Sequence, residues 1–181
     1  MRALLLIALL IPVSAAGHEV THPKQLDLHL DPTGITVLVH FNRAAGSKAR
    51  DTRGDFDANH DGQLTEVEAR ALVRRLTTFA THALRVSSMD EPVAGTPPEL
   101  LGQHGLKAPV NSATSLGITL KIRYKIAFSA QPRIVTIQDR HPDPKWNVMV
   151  RIHSREITVT PEEPSEVNGE RPLALLVALA R

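Results

Sequence analysis

The chain has 181 residues, with 21 Lys plus Arg against 19 Asp plus Glu and no cysteine. A formal charge of +2, which falls by one if Arg2 leaves with a leader, argues for neither nucleic-acid binding nor an electrostatic grip on a membrane. Lack of cysteine removes disulfides and thiol nucleophiles, so stability must come from packing and from any bound ion.

Arg2, the apolar run Ala3 to Val13 and the small residues Ser14-Ala15-Ala16-Gly17 form the three parts of a secretory signal peptide. The run is too short to span a bilayer, and no cysteine is present to take a lipid anchor. Residues 1–17 are therefore expected to be a leader, and 18–181 one β-rich domain, exported to the periplasm or secreted.

Lys24 to Leu30 and Ile35 to Phe41 flank Asp31-Pro32-Thr33-Gly34, a turn signal with Pro second and Gly fourth. Pairing Leu30 with Ile35 sets Leu28 opposite Val37 and Leu26 opposite Val39, making one face apolar. Asp27, His29, Thr36 and His40 then go to the other face.

Residues 57–68 read Asp-Ala-Asn-His-Asp-Gly-Gln-Leu-Thr-Glu-Val-Glu. A hard cation such as calcium takes about six to eight oxygens, and a short loop supplies them only by curling round the ion. Asp57, Asn59 and Asp61 alternate side-chain oxygens, and Gly62 stands where the chain must bend. Gln63 would offer its carbonyl, Thr65 would ligate directly or through water, and Glu68 would close the site with both oxygens. This run resembles the calcium loop of the EF-hand family, which implies a bound Ca2+ on those six residues. Thr65 with Glu68 is also a capping box, and the apolar spacing of Leu64, Val67, Ala71, Leu72, Leu76 and Phe79 predicts an exit helix. On the entering side Phe56 suits the family. Arg53 and Gly54 stand where a strong helix would carry an apolar residue and a helix former, so Arg43 to Arg53 predicts a short or frayed helix.

His82 to Ser87 should return the chain to a sheet, and Glu91 to Val110, rich in Pro and Gly in its first half, reads as a crossing loop. Ile118, Leu120, Ile122, Tyr124, Ile126 and Phe128 alternate with polar residues as a half-buried strand. Arg133 to Ile137, Trp146 to Ile152 and Glu156 to Thr160 follow as strands, and Pro172 to Ala180 as a final strand or short buried segment. With about seven strands, the expected fold is mainly β (α+β): an antiparallel β-sandwich with an EF-hand-like helix-loop-helix inserted at about 43–80. A lone calcium loop, with no second to pair with, argues for a structural ion rather than a sensor.

Nine histidines raise a second chemistry. His18 and His22 lie near the expected cleavage sites, and His29 and His40 share the outer face of the hairpin. All four are candidate ligands for nickel, cobalt or copper. The order of a His-Pro segment, a strand pair and an EF-hand-like loop also resembles exported domains that accompany bacterial nickel and cobalt uptake, which implies metal handling. Lys121, Arg123 and Lys125 line one strand face, and Arg151, His153 and Arg155 would extend that stripe if their strands were neighbours. No nucleophile elbow, zinc-protease helix or phosphate-cradling loop is present, and Asp139, His141 and Asp143 sit in a Pro-rich turn. The expectation is a non-enzymatic, exported calcium-binding module that serves another envelope protein, with transition-metal handling as the alternative.

Overall fold

A computed structural model describes residues 24–140, 148–161, 166–167 and 172–180. The expected leader, His18, His22 and the turn at His141 to Pro144 lie outside them. The elements run β1 (Lys24–Asp31), β2 (Gly34–Arg43), α1 (Ser47–Gly54), α2 (Glu66–Thr81), β3 (Leu84–Ser88), β4 (Glu91–Pro92), β5 (Glu99–His104) and β6 (Leu116–Lys125). Then come β7 (Arg133–Asp139), β8 (Val148–Ser154), β9 (Ile157–Pro161), β10 (Glu166–Val167) and β11 (Leu173–Leu179). Both helices fall between β2 and β3, so the insertion lies where the sequence placed it.

The first hairpin has the register that its alternation demands, with Leu30 opposite Ile35, Leu28 opposite Val37 and Leu26 opposite Val39. Asp31 Oδ1 accepts the Thr33 N–H at 2.8 Å and so stabilises the turn. Gly34 has φ +148, and a Cβ there would lie 2.1 Å from the Tyr124 carbonyl oxygen, so a side chain is excluded.

Six strands form one sheet in the order β10-β8-β1-β2-β6-β5, and five form a second, β4-β3-β7-β11-β9. The apolar faces of both share one core: Leu26, Leu28, Val37, Val39 and Leu120 from the first, Val86, Val135, Ile137, Leu175 and Val177 from the second. The chain is mainly β, with two sheets and two helices. Among the described residues every pairing is antiparallel except β1 with β8, which run parallel; the all-antiparallel expectation fails there because β8 does not follow a sheet neighbour in the chain, its predecessor β7 lying in the other sheet.

Two further expectations need correction. Glu91 to Val110 is not simply a loop, because it carries β4 and the edge strand β5. β5 is exposed along most of its length and slips register between Leu100 and Gly102, so it has no alternation to announce it. Nor do the basic residues form one stripe, since β1 and β2 run between β6 and β8. Arg123 pairs both ways with Asp31 at 2.7 Å, and Lys121 meets Glu99 at 3.0 Å. The Arg123 guanidinium, together with Thr33, holds the Asp31 carboxyl well below the usual carboxylate range.

Tyr124 ends the inner face of β6 and is 6 % exposed. Burial pushes its phenol up to about 12, against the Arg85 charge, which acts the other way. A raised acid binds its proton more tightly folded than unfolded, so this group should erode stability as pH rises from about 10. The chain has one tyrosine, so tyrosinate absorbance reports it alone. The expected titration is delayed to about pH 12, or appears together with alkaline unfolding in circular dichroism; an ordinary midpoint in the folded protein would show the ring to be solvated.

Candidate metal centre

The insertion is built from both ends. At its far side, the Thr65 hydroxyl accepts the Glu68 N–H while Glu68 Oε2 accepts the Thr65 N–H at 2.8 Å, completing the capping box that starts α2. Leu72, Leu76 and Ala80 bury one stripe of α2 in the core, and Phe79 packs against Phe41 of β2 with ring centroids 5.5 Å apart. At the near side, α1 is an eight-residue helix capped by Gly46 without a side-chain hydrogen bond, which fits the short entering helix expected.

Arg53 is fully buried although it stands where an apolar residue was expected. Its guanidinium donates to the carbonyls of Gly105 (3.3 Å), Ser112 (2.5 Å) and Thr114 (2.8 and 3.0 Å). Burial lowers its pKa from the ordinary arginine value. These carbonyls belong to the connection from β5 to β6, which also accepts the Gly46 N–H on Ala113 O at 2.8 Å. The same connection gives the Val110 N–H to Gly62 O at 2.9 Å. The connection therefore holds the entering helix and the loop together, an arrangement no residue spacing announces. Gly105 permits its first bend, with φ +70 and the Ser115 carbonyl oxygen 2.0 Å from where a Cβ would sit.

Between the helices the loop curls through two left-handed residues, His60 (φ 57) and Gly62 (φ 84). Asp57 is 6 % exposed; its Oδ2 accepts the Gly62 N–H at 3.0 Å, while its buried Oδ1 has no partner among the described residues. Asn59 Oδ1 accepts the Asp61 N–H at 3.2 Å, and Asp61 Oδ1 accepts the Gln63 N–H at 2.8 Å. Glu68 reaches back across the loop, its Oε1 accepting the Ala58 N–H at 2.8 Å. The Thr65 backbone N–H first, then its hydroxyl and the Ala58 N–H, lower the Glu68 pKa, so this exposed carboxylate is charged at neutral pH. Phe56 and Leu64 pack against the core on either side.

The six loop residues chosen from sequence thus lie in one turn, but not as a finished cage. Among the described residues no three His, Cys, Asp or Glu side chains converge in ligand geometry, and Glu68 is engaged by loop N–H groups. The donor set still suits a hard cation: all-oxygen, with carboxylates at both ends of the turn and one buried oxygen unsatisfied.

The histidines are more dispersed. His40 places its Nε2 3.0 Å from Asp27 Oδ2 and its Nδ1 3.2 Å from Thr119 Oγ1, so both ring nitrogens are engaged. His29 lies opposite Thr36 and His40 opposite Gln25, towards different ends of the hairpin. The neighbour of His29 is His153 on parallel β8, stacked at 4.6 Å and 12°. Sequence reading placed His153 with the basic stripe, since the partner of β8 was not legible.

Comparison with protein-family models, curated proteins and solved structures gave no match. No helix among the described residues is long and apolar enough to cross a membrane.

Proposed function

We propose that the protein is an exported, non-catalytic calcium-binding module in which one ion fixes the inserted helix pair against the sheets. The observation that carries this reading is Asp57, whose buried Oδ1 lacks a partner inside a turn that Asn59, Asp61, Gln63, Thr65 and Glu68 surround with oxygen. Calcium would supply a divalent charge on that oxygen and draw in Glu68. The ion is structural: the Val110 N–H on Gly62 O ties the turn, and Arg53 ties the entering helix, to the β5–β6 connection, so ordering the loop orders a surface there that another envelope protein can read.

The test is a thermal melt of the mature protein in chelator and with calcium restored, beside Glu68→Gln. At ten times its dissociation constant the ion adds about 1.4 kcal/mol by linkage, which should appear as a rise of several degrees in the wild type and not in the variant. Equal melts with and without calcium, and no heat in calorimetry, would remove calcium from the account.

A second reading is transition-metal handling, favoured by the stacked His29 and His153 on adjacent strands. Imidazole nitrogens suit copper or nickel, and water can complete their coordination. Titration with either metal should quench with a His29→Ala sensitivity if this reading holds, and should be indifferent to that change if it does not.

A further inference from the structure

Lys24 begins β1 in one sheet and Asp139 ends β7 in the other. Their side chains meet across the interface at 2.5 Å and are 3 % and 1 % exposed. An ion pair so deeply withdrawn from water holds its charges well only when further hydrogen bonds satisfy the remaining lone pairs. That condition is missing. Among the described residues the only partner within reach of the Asp139 carboxyl is the Lys24 amine, 2.5 Å from Oδ2. Burial lowers the Lys24 pKa more strongly than the charge and the hydrogen bond of Asp139 raise it.

We propose that Lys24 and Asp139 join as an intramolecular amide in the mature protein, a covalent staple between the two sheets. One ammonium proton passes to the carboxylate, leaving a neutral amine beside a carboxylic acid. The Nζ lone pair attacks Cγ and forms the C–N bond. A nitrogen proton then passes to the departing hydroxyl, the Cγ–O bond breaks, and water leaves. Nothing is oxidised or reduced, and no further reactant is required. In bulk water this condensation is opposed because free amine and acid ionise; in an apolar interface that opposition weakens, while fixed contact replaces a bimolecular encounter. A cysteine-free chain would gain a bond that closes a long loop of the unfolded state, including both helices and the calcium loop.

The test is mass spectrometry of the denatured mature protein, followed by peptide mapping, with Lys24→Arg alongside. The expected result is a wild type lighter than its sequence by one water, a branched peptide containing both Lys24 and Asp139, and a variant of full mass. Mapping is essential because a succinimide at Asp61-Gly62 would also remove one water, but would leave the Lys24 and Asp139 peptides linear. Full-mass wild type, or a water lost with both peptides linear, overturns the proposal. A variant that misfolds does not obscure the result, since the branched peptide is sought in the wild type.

Discussion

Arg53→Ala is expected to destabilise the protein by about 1–3 kcal/mol, the range for leaving a buried polar group without its partner, and to loosen the β5–β6 connection before the sheets unfold. The guanidinium is fully buried and holds the Gly105, Ser112 and Thr114 carbonyls at once. Truncation takes the guanidinium donors from the Ser112 and Thr114 oxygens, while Gly105 O keeps the Ala108 N–H, and opens a cavity between α1 and the connection. Arg53→Lys should recover little, because an ammonium on a flexible stem cannot span three carbonyls with the planar fork of arginine. Urea unfolding gives the total, and amide exchange gives the place: protection at Val110, whose N–H is held by Gly62 O, should fall first. If Arg53→Ala melts like the wild type, the carbonyl cluster is satisfied by water and the connection is not held by this residue.

How much of this was legible in the sequence depended on whether a residue's role was local. The β1–β2 register could be read because alternation and a tight turn determine it together, and the turn that follows Asp57 could be read because its Asp, Asn and Gly residues bend the chain locally. The exit helix announced itself through its capping box and apolar stripe. What escaped was set by distant partners. β5 is an exposed edge strand with a slipped register, so neither period appears in its residues. Arg53 read as a misfit in a helix because its carbonyl partners lie in a connection far along the chain. Lys24 looked like the ordinary polar start of a strand and Asp139 like part of a Pro-rich turn, until the two sheets closed over them. His153 was grouped with Arg151 and Arg155 rather than with His29, because the parallel pairing of β1 with β8 is a property of the whole topology.

Phe41→Ala should cost about 3–5 kcal/mol, as truncation of a fully buried phenylalanine does, and, on the calcium reading proposed above, should also weaken the binding of that ion although Phe41 lies outside the loop. Its ring is fully buried, touches Phe79 of α2 and, with Phe79, receives the Arg43 guanidinium at 5.3 and 5.2 Å from the two centroids. This aromatic contact docks α2 on the sheet, and α2 carries Glu68 in its first turn. When docking is lost, the ion must order the helix as well as bind the loop, and the apparent affinity falls by the fraction of molecules already docked. The control is Ile137→Ala in the second sheet, also fully buried and expected to cost about 2–5 kcal/mol, but not part of the α2 contact. Urea unfolding of both variants, with calcium and in chelator, separates the effects. Phe41→Ala should need more calcium to reach its full stabilisation, and Ile137→Ala should lose stability equally in both conditions. An unchanged calcium midpoint in Phe41→Ala would mean that the loop closes on its ion independently of the sheet, and the ion would then order only its own turn.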